Sequence, residues 1–338
     1  MKKFFLGALL LLILISGYVF REKEVVQEEF LMDTFVSISA YGANTDFLKE
    51  NVEAAFREMR RITGLTERFS PESMESNVQQ INQEAGKKPV KVDPLVWEML
   101  SEAKKYQRLT NGAFEITIGP LVDLWKTAGQ RQEVPTTDEL KAVLMLVNSD
   151  NLILDAEKQT AFLSKADMSL DLGAVAKGYA VESAAEVLKT AGIKKAIINA
   201  GGDLKVIGKK KRFPGWQIGI QNPRDSKGVI GVLTLENEAV ATSGDYQRVI
   251  KIGTNEYHHL LSTENGYPVN YNQSVTIICP HAGQADLLST ALFLLESKQA
   301  LDLVDQLPDV EVVIVTAEGE ILISSGLENK FHRGENYD

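Results

Sequence analysis

The stretch from Lys195 to Ser243, KAIINAGGDLKVIGKKKRFPGWQIGIQNPRDSKGVIGVLTLENEAVATS, decides the fold class. Five short runs rich in β-formers follow one another within it: Lys195–Asn199, Leu204–Ile207, Trp216–Gln221, Val229–Leu235 and Ala239–Ser243. Turn-prone Gly, Pro and Asn residues separate them, so they read as mostly antiparallel strands. Upstream, Phe35–Tyr41 alternates Phe35, Ser37 and Ser39 with Val36, Ile38 and Ala40, again a strand. Helical spacing marks Asp46–Thr63, whose stripe is Phe47, Val52, Ala55, Phe56, Met59 and Ile62 with Gly64 as a stop. It also marks Leu95–Leu109 and Ala174–Ala191. Downstream come a strand at Ser274–Cys279, a helix at Asp286–Glu296 and a closing hairpin, Val310–Thr316 with Glu320–Ser324. Helices mixed with antiparallel strands predict an α+β fold. No linker, repeat or low-complexity tract divides residues 28–330, which read as one catalytic domain.

Composition narrows the function. The 46 Asp+Glu outnumber the 36 Lys+Arg, for a net charge of −10, leaving no basic excess to neutralise nucleic-acid phosphates. The basic run Lys209–Arg212 sits between strand-like stretches and reads as a solvated hairpin turn. One cysteine, Cys279, excludes a disulfide framework and multi-cysteine metal centres, and the four histidines hold no HExxH pair.

At the N-terminus, Lys2 and Lys3 precede the apolar run Phe4–Phe20, and Arg21-Glu22-Lys23-Glu24 restores charge. This run of roughly 17 residues reads as a signal peptide or signal anchor over residues 1–24. The lysine pair predicts an inside N-terminus and a body on the extracytoplasmic face of a bacterial-type membrane, anchored or secreted.

Three segments carry chemistry. In Asp171-Leu172-Gly173-Ala174-Val175-Ala176-Lys177-Gly178-Tyr179, a carboxylate and a glycine precede a helix start that suits an anion, with Lys177 one turn in. Asp171 as a simple helix cap is the competing reading. In Ala285–Leu292, Asp286 and Thr290 stand at i, i+4 on an otherwise apolar helix, a hard oxygen pair that suits Mg²⁺. The alternative is an N-terminal Asp beside a Thr bonded to the backbone. In Tyr257–Pro268, adjacent His258 and His259 point to opposite faces of an extended segment, so one could serve acid–base chemistry or both could be structural. Ala200-Gly201-Gly202-Asp203 permits close backbone approach to a ligand but is no GxGxxG fingerprint.

These segments occur in a fixed order with Met32-Asp33-Thr34-Phe35-Val36, Gly112–Leu121 and Ala241-Thr242-Ser243-Gly244-Asp245-Tyr246. The series closely resembles the ApbE family of FAD:protein FMN transferases from about residue 28 to about residue 326. The resemblance implies an α+β flavin-transferase fold related to the T-fold. It implies transfer of FMN from FAD, with Mg²⁺, to a Ser or Thr hydroxyl of an exported acceptor, releasing AMP. Such acceptors carry a Ser/Thr-Gly-Ala-Ser/Thr motif and include redox-complex subunits and extracellular flavoproteins. By the family pattern Asp286 and Thr290 ligate metal, with Ala174 contributing its backbone carbonyl. Flavin and nucleotide contacts map to Met32, Ala113, Phe114, Glu115, Asp171, Lys177 and Leu260. The acceptor hydroxyl needs a base, and the two candidates for that catalytic role are His259 and a metal-side carboxylate such as Asp286.

Departures accompany the likeness. Asp33 stands where the family usually has Gly, and Glu115 where it often has Asp. Ser262-Thr263 replaces the Asp-Pro that follows the histidines, and leakage of FMN to water is expected at that loop. Two other classes share the pocket: an exported FAD pyrophosphatase giving FMN and AMP, and a non-catalytic flavin-binding protein. The acceptor motif is absent from this chain, since Thr110-Asn111-Gly112-Ala113 does not match it.

Overall fold

Alternating apolar residues build an eight-stranded sheet from β1 (Lys23–Leu31), β2 (Thr34–Gly42), β3 (Ala196–Ala200), β4 (Asp203–Ile207), β5 (Ala239–Gly244), β6 (Asn272–Cys279), β7 (Glu311–Thr316) and β8 (Ile321–Ile323). Their spatial order is their order in the chain, and every pair is antiparallel. The computed structural model describes residues 22–68, 76–210 and 214–334. The Phe4–Phe20 run lies outside them, as do Lys211 and Arg212 of the basic turn. Among the described residues no helix is long and apolar enough to cross a membrane.

Five longer helices matter for the site: α1 (Thr45–Thr66), α2 (Pro94–Leu109), α3 (Gly119–Arg131), α4 (Ala176–Thr190) and α5 (Ala282–Phe293). The sheet's period of two sends Val36, Ile38 and Ala40 of β2, with Ile277 and Ile314, to one face. There they meet Val52, Phe56 and Met59 of α1, Ala184 and Leu188 of α4, and Leu288 and Leu292 of α5. The alternate residues Val206, Val240, Ile278 and Val313 face the other way. They pack on Trp216, Leu233 and Phe331 of a three-stranded sheet (Trp216–Asn222, Asp225–Leu235, Phe331–Arg333). Coverage on both sides explains why β4 and β6 are buried along their whole length. The expected α+β class is the observed one.

Three local details depart from the sequence expectation. The segment Lys23–Leu31, whose charged and apolar residues come in pairs and do not alternate, bonds along its full length with β2 as an edge strand and begins inside the expected 1–24 leader. Helix α4 starts at Ala176, two residues late, because the Leu172 carbonyl accepts both Val175 N–H and Ala176 N–H in a tight turn (3.0 and 2.9 Å). Helix α5 starts at Ala282, four residues early, so Asp286 lies in its second turn and does not cap α5.

Candidate active site

The β1–β2 turn, the α4 start, the β5 end, α5 and the hairpin Val249–Ile252/Asn255–His258 surround a cavity of about 730 Å³. That volume is in the range that cofactor-sized ligands occupy. Of the residues expected at the site, Ala113, Phe114, Glu115, Asp171, Ala174, Lys177, His259, Leu260, Asp286 and Thr290 line this one cavity. Met32 does not: it packs against the core while its neighbours Asp33 and Thr34 line the wall. Met32 and Asp33 form the two-residue turn joining Leu31 to Thr34, with φ of 53° and 60°. Both are left-handed, which disfavours an L-residue and explains why glycine suits the Asp33 position.

Helices α4 and α5 cross at Gly178, where a Cβ would meet the Ala282 carbonyl oxygen at 2.3 Å and Asp286 Cβ at 2.5 Å. This close crossing brings Asp286, 4% exposed, under the first turn of α4. Gly178 N–H, a first-turn donor of α4 with no intrahelical acceptor, donates to Asp286 Oδ2 at 2.7 Å. Ala174 lies just before the N-cap Val175, outside the helical hydrogen-bond ladder, and lines the cavity wall. Lys177 Nζ lies 3.5 Å from Asp286 Oδ1 and also pairs with buried Asp203. Thr290 Oγ1 is 3.0 Å from Ser243 Oγ, which lies 2.9 Å from Ser289 Oγ. The threonine is therefore held by a side-chain hydroxyl on β5. Among the described residues no three His, Cys, Asp or Glu side chains converge. A carboxylate, a hydroxyl and a carbonyl remain, all hard oxygens, and this donor set fits Mg²⁺ better than zinc.

The two histidines separate by their partners. His258 has its Nε2 2.8 Å from the Val269 carbonyl, and its Nδ1 accepts Leu260 N–H at 3.2 Å. Both ring nitrogens are engaged, so His258 holds the loop together. His259 faces the cavity with a buried Nδ1 that has no partner among the described residues. Burial, then the charges of Arg248 and His258, push its imidazole down to about 4 against the pull of the backbone at Gln247 and Arg248. It is neutral at pH 7, with a ring nitrogen open to accept a proton.

Asp171 closes a local turn ahead of α4, which has no side-chain cap, and also pairs. Its Oδ1 accepts Gly173 N–H at 2.9 Å, and its Oδ2 lies 3.2 Å from Arg68, whose side chain also holds Asp123 and Ser169. Glu115 turns its carboxylate inward. It accepts Thr117 N–H and Oγ1–H at 2.8 and 2.9 Å, Ser149 N–H at 2.8 Å and the Ser149 hydroxyl. That carboxylate is saturated and pins the 112–118 loop beneath Phe114.

The sequence model of the ApbE family matches residues 32–314. The chain belongs to the ApbE family. Its relatives include the FAD:protein FMN transferase of Klebsiella pneumoniae, 34% identical over 259 residues, covering 76% of this chain and 80% of the relative. The enzyme of the same description from Haemophilus influenzae is 29% identical, covering 85% and 84%. Among solved structures, an ApbE protein of Thermotoga maritima superposes with a TM-score of 0.82 at 31% identity, covering 90% of this chain and 98% of that one. The Pseudomonas stutzeri flavinyl transferase ApbE in its apo form superposes with a TM-score of 0.77 at 25% identity, covering 94% and 99%.

Within this ApbE fold several wall residues carried no usable signal in the sequence. Asp203, singled out only as the end of a glycine turn, is 3% exposed and holds Lys177. Ser243 orients Thr290 from a strand distant in sequence, and Arg248 follows the ATSGDY motif without belonging to any helix or strand. The Ser262-Thr263 pair lies to one side of the imidazole. Thr263 Oγ1 donates to the Gly112 carbonyl at 2.9 Å, and both residues line an adjoining cavity of about 700 Å³ rather than the one holding His259. The shared wall is Ala113 and Leu294.

Proposed function

We propose that this chain transfers FMN from FAD to a Ser or Thr hydroxyl of an exported acceptor protein, forming a phosphoester link and releasing AMP. The observation that carries the reading is the convergence, in one cavity, of an oxygen-donor cluster at Asp286, Thr290 and Ala174 with the imidazole of His259, whose Nδ1 has no partner among the described residues. Membership of the ApbE family supports the same chemistry, and the relatives' shared description as FAD:protein FMN transferases names its donor.

FAD is the substrate, and its pyrophosphate carries the bond that breaks. The acceptor oxygen attacks the phosphorus of the FMN half, the P–O bond to the AMP half breaks, and AMP leaves with that oxygen. Asp286, Thr290 and the Ala174 carbonyl would hold Mg²⁺, which supplies charge neutralisation for the transferred phosphoryl group and the leaving phosphate. Lys177, fixed by Asp203, adds a positioned cation on the same side. His259 takes the hydroxyl proton. Its proton affinity is low in the free protein, and a dianionic pyrophosphate beside it favours the imidazolium and raises that affinity. Placing a protein hydroxyl rather than water at the phosphorus is an orientation effect. The body works on the extracytoplasmic side of the membrane, a reading supported by the Lys2-Lys3 and Phe4–Phe20 pattern.

The test is AMP release from FAD and Mg²⁺, with and without a peptide carrying Ser/Thr-Gly-Ala-Ser/Thr, alongside the peptide's mass. Acceptor-stimulated AMP release with FMN added to the peptide is expected. Rapid AMP release indifferent to the peptide, with no added mass, would make the chain an FAD pyrophosphatase. Flavin binding without AMP would make it a carrier.

A further inference from the structure

Arg248 is the cation of this cavity that no other residue claims. It immediately precedes the hairpin in which Val249 pairs with His258, and continuing that register sets Arg248 opposite His259. It lines the cavity at its exposed rim. Its guanidinium makes no ion pair or hydrogen bond among the described residues. The nearby cations differ: Lys177 is held by Asp203 and Asp286, and Arg68 by Asp123, Asp171 and Ser169. The backbone at Arg248 is left-handed, with φ of 42°, a conformation uncommon for a long L side chain.

The walls also carry the carboxylates of Asp33, Asp171, Asp203 and Asp286. A pyrophosphate entering such a cavity needs positive charge that is not already neutralised, in a geometry matching its paired oxygens. A guanidinium supplies both.

We propose that Arg248 is the phosphate clamp of this site, binding non-bridging oxygens of the FAD pyrophosphate next to His259. This rests on the flavin-transfer reading and extends it to a residue that none of the recognised segments contains. The clamp has a second consequence. The Arg248 charge is one of the forces holding the His259 imidazole neutral, after burial. Once phosphate oxygens neutralise that charge, the hold is released at the moment the acceptor hydroxyl needs a base.

The experiment compares wild type, Arg248→Gln and Arg248→Lys for binding of FAD and of riboflavin, which has the same ring and no phosphate. Wild type is expected to favour FAD. Arg248→Gln should weaken FAD by roughly tenfold or more while leaving riboflavin unchanged, and Arg248→Lys should recover part of the loss. Unchanged FAD affinity in Arg248→Gln would overturn the clamp, as would equal loss of both ligands, which marks a merely structural residue. A wild type that binds riboflavin as well as FAD would sink the dinucleotide reading itself, on the unmutated protein and before any variant is compared.

Discussion

Gly178 N–H and Asp286 Oδ2 meet at 2.7 Å where α4 and α5 cross, and this one bond ties the helix start to the carboxylate beneath it. It satisfies a first-turn backbone donor of α4, fixes the Asp286 rotamer and depends on the absence of a side chain at position 178.

Gly178→Ala tests that dependence. The added methyl would overlap backbone and Cβ atoms of α5, neither of which is a flexible side-chain end. The helices must separate, at a cost of roughly 1–3 kcal/mol, and Asp286 loses its donor. A lower denaturation midpoint together with weaker Mg²⁺-dependent FAD binding is expected. A variant with wild-type stability and wild-type metal response would show that the crossing is looser than drawn.

Asp286→Asn removes the charge while keeping an oxygen that can accept Gly178 N–H. It should fold, and its transfer rate should fall by about two orders of magnitude or more at limiting Mg²⁺. Calorimetric titration of Mg²⁺ in the presence of FAD gives a second readout, expected to flatten. Wild-type transfer at limiting Mg²⁺ would remove Asp286 from the metal assignment.

Truncation should show where the fold begins. Removing residues 1–21 is expected to leave a soluble, active enzyme. Removing residues 1–24 also takes Glu22, which lies 2.5 Å from Lys195, and Glu24, which accepts the Tyr41 hydroxyl. It also strips the first two residues of β1 from their partners Gly42 and Tyr41. The longer deletion should therefore have the lower melting temperature of the two. Equal melting temperatures would mean that the end of β1 contributes nothing.

The fold was legible where one period dominated. Val36, Ile38 and Ala40 alternate cleanly, and the stripe from Val52 to Ile62 repeats at helical spacing, so both elements were placed within a few residues. Edge strand β1 escaped because Glu24, Glu28 and Glu29 break its apolar pattern, as a solvent-facing edge requires, and because it follows the apolar run Phe4–Phe20. The Asp286–Thr290 pair was legible as polar residues on an apolar helix. Arg248, Ser243 and Asp203 were not, since each acts through a partner remote in sequence: His259 across a hairpin, Thr290 across a helix–sheet contact, Lys177 across the α4 start. Local pattern carries no record of such juxtapositions. Ser262-Thr263 looked adjacent to the imidazole by sequence, yet the turn closed by Gly266 N–H on the Ser262 carbonyl swings it to the neighbouring cavity.

Acid should destabilise the protein through His259. Its folded pKa of about 4 lies below the ordinary 6.5, so between those values the unfolded chain binds more protons. Stability is therefore full above pH 6.5 and is lost as pH falls toward 4, by about 3 kcal/mol for this residue. His258, also depressed by burial, adds in the same direction. Denaturant unfolding of wild type and His259→Asn across pH 4–8 isolates the effect as a difference, and parallel pH profiles would refute it.

The histidine pair offers the sharpest division between structure and chemistry, because the two side chains share a backbone and almost nothing else. His258→Ala deprives the Val269 carbonyl and Leu260 N–H of their partner in a buried setting, a loss of roughly 1–3 kcal/mol from unsatisfied groups alone. Its effect should appear as a lower unfolding midpoint, with kcat per folded molecule staying far above that of the other variant. His259→Asn removes an imidazole whose Nδ1 bonds nothing among the described residues, so it forfeits no hydrogen bond there, and its stability near pH 7 should stay close to wild type. Its kcat should drop by about two to four orders of magnitude with FAD affinity little changed, as expected when a proton acceptor and not a binding contact is lost. Raising the pH should restore some of that rate, since a more ionised acceptor hydroxyl needs less help from a base. The opposite pattern, with His258→Ala inactive but stable and His259→Asn active but unstable, would reverse the assignment and place the proton acceptor on the other ring.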